Sequence, residues 1–407
     1  MVQKQQYPWS GSLNWRALAA FDQVLVRRSA DTGEWVIGMG VAPSADPFGN
    51  GYGAIGHLSF NYADATDQIK SRHVPDGSFA EHGWWAPEIL VQCREGTVTE
   101  WTQGLSAQAN NGRWRTELFS PMVSAPPPPR ANWQRHTPKE RYLRNVELLL
   151  HHIQQGDIYE VNYCTERSAM VPGLDPFDAF ERLLRHSDAP YAALYKRGPH
   201  FALCMSPERY LRIEGRTVTT QPMKGTRKRG ASADVDVELI HELTTDAKER
   251  SENIMAVDVA RHDLSRVAAS RSVHVPELCA VKTYPHVHQM VSTVRAELRE
   301  GLTPWDAVRA TFPMASMTGA PKLRALQLID EVEEQPRGLF SGALGYQLPD
   351  GTMDLNVVIR TITYNASTGR ASLITGSAIT ALSDPAAEWE ECELKARSVL
   401  NALGHVG

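Results

Sequence analysis

Between Lys139 and Gln155, apolar Tyr142, Val146, Leu149 and Leu150 recur at three- to four-residue spacing, which predicts a helix stopped by Gly156-Asp157. Ile158 to Cys164 and Ala192 to Tyr195 read as strands, and Pro199 to Thr220 as a hairpin turning at Glu214-Gly215. From Asp234 to Ser272 there is neither glycine nor proline. Leu239, Leu243, Ile254, Val257, Leu264 and Val267 recur there at helical intervals, so one long helix or a helix pair is expected. A further helix is expected from Pro321 to Val332. Strands follow between Pro336 and Gly376, separated by Pro349-Asp350-Gly351 and Ala366-Ser367-Thr368-Gly369. Asp384-Pro385 opens a last helix, because Asp caps well and Pro suits the first turn, and Gly404 closes it.

The run Ala125-Pro126-Pro127-Pro128-Pro129-Arg130 lacks four backbone donors and favours an extended connection. It divides the chain into 1–125 and 131–407. The first part is rich in Trp and Gly and carries short runs such as Glu34-Trp35-Val36-Ile37-Gly38, which suit strands and turns. Strands cluster with interspersed long helices and lack regular βαβ alternation. The expected class is therefore α+β.

Composition narrows the function. The 407 residues are 42% hydrophobic and 22% charged, as in a globular protein, and the net charge of -5 gives no basic surplus for nucleic acid or membranes. No stretch approaches the roughly 20 apolar residues of a spanning helix. The first residues hold no long apolar core, so a signal peptide is not expected. The five scattered cysteines form neither a metal nor a disulfide pattern, and a reducing cytoplasm is the simplest compartment.

Four clusters are candidates for chemistry. Ser206-Pro207-Glu208 precedes Pro222-Met223-Lys224-Gly225-Thr226-Arg227-Lys228-Arg229, and an acid and a lysine at two ends of a hairpin can face one site. Crowding by Arg227, Lys228 and Arg229 should make Lys224 easier to deprotonate, and a neutral amine is a nucleophile. The plain alternative is a solvated basic loop. Glu249 and Glu252 share one helical face, as do Glu388, Glu391 and Lys395. Carboxylates on two helices would suit Mg²⁺, although surface solvation explains either pair alone. Ser316-Met317-Thr318-Gly319-Ala320-Pro321-Lys322 puts small residues before a helix N-terminus, without the spacing of a nucleotide-binding P-loop.

These clusters occur in order with Gly156-Asp157-Ile158-Tyr159, Val257-Asp258, Arg337-Gly338, Gly342-Ala343-Leu344-Gly345-Tyr346, Ile359-Arg360-Thr361 and Ser383-Asp384-Pro385. Over roughly 140–403 the chain resembles the chorismate-utilising enzymes, which include anthranilate, aminodeoxychorismate, isochorismate and salicylate synthases. The resemblance implies two facing antiparallel sheets with helices outside and the site in the cleft between them. Residues 1–125 would complete this sandwich, and 131–407 would form the chorismate-binding catalytic domain.

The resemblance also implies roles. Glu252 and Glu391 match Mg²⁺ ligands, with Glu249 and Glu388 reaching the ion through waters. Glu208 matches the general acid for the departing C4 hydroxyl. Arg360 matches the residue that grips the enolpyruvyl carboxylate, and Lys395 and the backbone around Gly376 match further carboxylate contacts. Gly225, Thr226 and Thr318 match pocket residues. Lys224 resembles the aminodeoxychorismate synthase branch, where anthranilate and isochorismate synthases usually have Ala. It would attack C2 of chorismate before ammonia adds at C4, giving 4-amino-4-deoxychorismate for p-aminobenzoate and folate synthesis. Glu160 stands where water-using relatives carry a lysine base.

Three positions depart from the pattern: Gln289, preceded by His288, replaces a frequent His; Phe340 replaces Tyr; and Ala378 replaces Gly. No glutaminase segment and no fused lyase are evident. Ammonia is therefore expected from a separate glutamine amidotransferase subunit or from free ammonium, with an aminodeoxychorismate lyase acting downstream. The Leu-Leu-Glu-Ser motif of tryptophan-inhibited relatives is absent, so tryptophan feedback is not expected. The rival readings are anthranilate synthase component I, opposed by Lys224, and a catalytically silent amidotransferase-binding homologue, opposed by the intact Glu208, Lys224, Glu252 and Glu391.

Overall fold

A computed structural model describes residues 2–29, 31–42, 48, 51–63, 71–74, 77–104, 106, 109, 111–123 and 129–404. Ala125 to Pro128 of the proline run lie outside the described residues. The strands of the first half are β1 Gln3–Pro8, β2 Gln23–Ser29, β3 Glu34–Met39, β4 Ala54–Leu58, β5 His82–Trp85, β6 Ile89–Arg94, β7 Thr97–Thr102, β8 Gln134–Arg135, β9 Glu160–Met170, β10 Tyr191–Arg197 and β11 His200–Ser206. Those of the second half are β12 Arg209–Glu214, β13 Thr217–Thr220, β14 Met223–Lys228, β15 His274–Thr283, β16 Val287–Glu297, β17 Gly319–Ala320, β18 Ala343–Gln347, β19 Met353–Val357, β20 Thr361–Asn365 and β21 Arg370–Thr380. The helices are α1 Arg113–Leu118, α2 Lys139–Gln155, α3 Pro176–Ser187, α4 Ala233–Thr245, α5 Ala247–Ser265, α6 Pro304–Thr311, α7 Lys322–Val332 and α8 Pro385–Leu400.

The strands form two antiparallel sheets. The larger runs β1-β7-β6-β3-β2-β10-β11-β20-β21-β9-β17, and the smaller runs β14-β16-β13-β12-β19-β18-β4-β5; β8 and β15 pair at the sides of β9 and β16. Strands before the proline run enter both sheets: β2 pairs with β10, and β4 with β18. Between the sheets lie Leu25, Ile55, Tyr195, Leu344 and Tyr346. Burying such a side chain contributes about 1.5–3 kcal/mol relative to exposure. On the outer faces, Phe177 and Phe180 of α3 cover the larger sheet, and Val257 and Leu264 of α5 with Val308 of α6 cover the smaller one. The class is α+β, as the pattern of elements indicates. Among the described residues no helix is long and apolar enough to cross a membrane.

Several local expectations are met. α2 has the expected bounds, and Gly156 at φ +80° closes it. The glycine-free run is a helix pair broken at Asp246, whose extended backbone ends α4 and whose carboxylate caps the Glu249 N–H of α5. Two expectations need correction. The helix pair ends at Ser265 and not at Ser272. Pro199 to Thr220 is not one hairpin: β12 and β13 do turn after Glu214, but β11 belongs to the other sheet. The chain changes sheets at Pro207-Glu208, where proline removes a backbone donor that continued pairing would need.

A buried ionic network ties the sheets together. Arg27 of β2 lies 2.8 Å from Asp354 of β19, and both side chains are wholly buried. Arg209 of β12 reaches Asp354 at 3.0 Å and Asp31 at 2.7 Å. Burial alone would raise the pKa of Asp354, but Arg27 and Arg209 outweigh it and hold the group ionised.

Candidate active site

Lys224 sits on β14, and its register opposite β16 is interrupted between Lys224 and Thr226 by a bulge at Gly225. Gly225 has φ +70°, and a Cβ there would lie 2.8 Å from Leu243 Cδ1 and 3.0 Å from Glu249 Oε2. The bulge therefore needs glycine twice over, for its backbone and for its neighbours. Lys224 Nζ lies 2.5 Å from Glu160 Oε1 and 4.0 Å from Glu252 Oε2, with all three side chains nearly buried.

This overturns the expectation that basic neighbours ease deprotonation of Lys224. Arg227 is occupied by Asp246 at 2.9 Å, and Arg229 by Asp236 at 2.5 Å. Burial does disfavour the ammonium, but Glu160 and Glu252, with Glu208 behind them, outweigh it and raise the lysine pKa. Lys224 rests as a charged ammonium among carboxylates.

Glu208 stands at the crossing between the sheets, with its N–H donating to Ser206 Oγ at 3.2 Å. Burial pushes its carboxyl up to about 7, against the opposing pull of Lys224 and Arg360. Arg360 has φ +51°, a left-handed conformation that costs a non-glycine residue about 1–3 kcal/mol. Its guanidinium enters none of the hydrogen bonds or ion pairs among the described residues, and burial lowers its pKa. A strained arginine held beside Glu208 with its donors free is suited to a ligand carboxylate.

The acidic helices converge as the sequence indicates, but with lysines between them. Lys248 Nζ lies 3.2 Å from Glu388 Oε1 and 3.8 Å from Glu252 Oε1. Lys395 holds Glu391 at 2.6 Å and the Gly376 carbonyl at 2.8 Å. Ser383 donates to Glu388 at 2.7 Å. Among the described residues no three acidic, His or Cys side chains close into a metal shell. The donor set nonetheless fits a hard divalent cation, because it is made of carboxylate oxygens. Glu252 Oε1 is buried with no hydrogen-bond partner, burial raises its carboxyl to about 7, and the ammonium of Lys248 stands in between Glu252 and Glu388 as a cation.

The remaining expected residues divide into polar and apolar groups. Thr226 pairs with Gln289 across β14 and β16, and Gln289 is buried with its Oε1 unpartnered. Thr318 is fully buried and donates to the Met314 carbonyl at 3.2 Å. Phe340 packs in the apolar layer of the smaller sheet, where a tyrosine hydroxyl would need a partner. A Cβ on Gly376 would lie 2.4 Å from Cys164 Sγ, so this backbone must be bare. Sequence reasoning did not find Glu160 as the partner of Lys224. Its signal was a carboxylate between Ile158 and Val161 at the head of an apolar strand.

The profile of the chorismate binding enzymes matches residues 15–401. The chain belongs to the chorismate-binding enzyme family. Within it, the aminodeoxychorismate synthase of Streptomyces griseus is 46% identical over 267 residues, covering 65% of this chain and 36% of that protein. The aminodeoxychorismate synthase of Streptomyces pristinaespiralis is 39% identical over 386 residues, covering 89% of this chain and 52% of that protein. The chain thus spans about half or less of these relatives' length. The crystal structure of anthranilate synthase component I from Streptococcus pneumoniae TIGR4 superposes with a TM-score of 0.74 at 23% identity, over 98% of this chain and 92% of that one. That likeness shows the family fold: two antiparallel sheets with helices outside.

Proposed function

We propose that the chain is the chorismate-binding, ammonia-accepting part of an aminodeoxychorismate synthase. The observation that carries this reading is the Lys224 ammonium among Glu160, Glu252 and Glu208. A primary amine, a neighbouring proton acceptor and a carboxyl that keeps its proton near neutrality meet at one buried site. The relatives from both Streptomyces species carry that enzyme's name.

In this mechanism Glu160 takes a proton from Lys224, and the freed amine bonds to C2 of chorismate. The ring double bonds shift, and the C4–O bond breaks as Glu208 donates its proton, releasing water. Ammonia then bonds to C4 and yields a proton to the Glu208 carboxylate. The double bonds return, the C2–N bond breaks, and Lys224 regains its proton from Glu160. The enolpyruvyl ether survives, so the product is 4-amino-4-deoxychorismate. Arg360 grips the enolpyruvyl carboxylate, a task for a planar fork. Lys395 and the Gly376 backbone contact the ring carboxylate, and Gly225, Thr226, Thr318, Gln289 and Phe340 shape the pocket. Glu252 and Glu391 would hold Mg²⁺, with Glu249 and Glu388 acting through waters; the bound ion supplies neutralising charge to the ring carboxylate.

Ammonia is supplied by a separate glutamine amidotransferase subunit, and a lyase consumes the product. The setting is cytoplasmic, which suits five buried cysteines outside any disulfide. The test is to incubate the purified chain with chorismate, Mg²⁺ and an ammonium salt and to separate products by chromatography and mass. Aminodeoxychorismate is expected; anthranilate with pyruvate would overturn the reading.

A further inference from the structure

Asn253 follows the candidate ligand Glu252 on α5 and is fully buried against the smaller sheet. Asn is a mediocre helix former, and a buried amide is costly unless bonded. An apolar residue would fill a face that packs on a sheet more cheaply. Here the amide bonds to the connection that leads into β14, to β16 beside it and to β15 beyond. Its Nδ2 donates to the Pro222 carbonyl at 3.4 Å, two residues before Lys224. Its Oδ1 accepts from the Ser292 hydroxyl of β16 and from Cys279 Sγ of β15 at 3.5 Å.

The same cluster holds backbone strain. Cys279 has φ +54° in a stretch where the register between β15 and β16 shifts. Such a conformation costs about 1–3 kcal/mol and persists only where its surroundings fix it. Its N–H donates to Ser292 Oγ at 2.8 Å, and the Ser292 N–H donates to the Pro222 carbonyl at 3.0 Å. Pro222 is thus pinned from the helix by Asn253 and from the sheet by Ser292. Lys224 and Glu252, 4.0 Å apart, are set by this join.

We infer that Asn253 is a positioning residue: through Pro222 and Ser292 it fixes the helix bearing Glu252 against the strand bearing Lys224, and so couples cation binding to the nucleophile. The inference rests on the amination reading above. It needs no contact between Asn253 and substrate or ion.

The test compares Asn253→Ala and Ser292→Ala with the wild-type chain. Amination is followed with chorismate, Mg²⁺ and ammonium, and Mg²⁺ binding is measured by calorimetry without substrate. For Asn253→Ala, kcat should fall and the Mg²⁺ Kd rise together, each by about tenfold or more, as when groups that orient metal ligands are removed. The chorismate KM should move less, and Ser292→Ala should shift kcat and Kd in the same direction by smaller factors. A folded Asn253→Ala chain of lower melting temperature but unchanged kcat and Mg²⁺ Kd would reduce the residue to packing and overturn the inference. If that variant does not fold, Ser292→Ala decides by the same criterion. A wild-type chain that forms no aminated product sinks the amination reading instead, and the Mg²⁺ calorimetry still decides the role of Asn253.

Discussion

Lys224 and Glu160 are ion-paired at 2.5 Å although 64 positions separate them in the chain. The pair joins the smaller sheet, through β14, to the larger, through β9. A buried pair contributes little net stability, but removing one partner strands the other charge. Lys224→Met should therefore lose amination and also about 3–5 kcal/mol of stability in chemical denaturation. Adding Glu160→Gln should restore most of the stability and none of the activity.

The second expectation concerns pH. Burial raises Glu208 to about 7, so it holds its proton below that value and releases it above. A general acid works only when protonated, and kcat should decline as pH rises through about 7. Linkage has the same sign: the folded pKa lies above the usual carboxylate value, so its stabilising contribution is present at low pH and lost as pH rises toward 7. Glu208→Gln should lower kcat about a hundredfold or more and abolish that alkaline limb in a pH–rate profile.

Much of this was legible in the chain. The apolar spacing of α2 and the Asp384-Pro385 start of α8 gave elements with nearly the observed bounds, because local rules decide them. The same rules would have found α3 and α6, where Asp175-Pro176 and Thr303-Pro304 carry the same cap. The acidic pairs were legible because each pair lies within one helix. What was hidden depends on pairs distant in sequence. Neither Glu160 opposite Lys224 nor Arg27 opposite Asp354 follows from spacing. The basic run after Lys224 misled for the same reason, since its neutralising partners lie beyond it, Asp236 on α4 and Asp246 at the break before α5.

Asp354 pairs with three arginines, Arg27 of the larger sheet and Arg209 and Arg212 of the smaller. Asp354→Asn should cost about 3–5 kcal/mol, because Arg27 stays buried without its counter-charge while Arg209 keeps only Asp31. The check is the urea unfolding midpoint. An unchanged midpoint would show that the arginines find other partners.

Gly225→Ala tests the bulge. The substitution strains a φ of +70° and drives a methyl into Leu243 and Glu249. A loss of about 1 kcal/mol or more is expected. The Mg²⁺ concentration for half-maximal rate should rise with it, because Glu249 must move. Thermal melts and Mg²⁺ titrations of one preparation separate the two effects.

The carboxylate set is tested by Glu252→Gln and Glu391→Gln. Each should weaken Mg²⁺ binding in calorimetry, while circular dichroism remains that of the parent chain. Unaltered binding in both variants would remove these residues as ligands.

The change of sheets at Pro207-Glu208 has a consequence for how such an enzyme can diversify. Pairing resumes on either side of it, at Ser206 with Tyr191 in one sheet and at Arg209 with Asn356 in the other. Glu208, the proposed proton donor, is thus stitched into both layers at once. The carboxylates proposed to hold a cation lie on α5 and α8, and the residue at 224 lies on a bulged outer strand. On the proposed reading, helices and outer strand can be rebuilt for a different incoming nucleophile while the sheet crossing that holds Glu208 stays as it is.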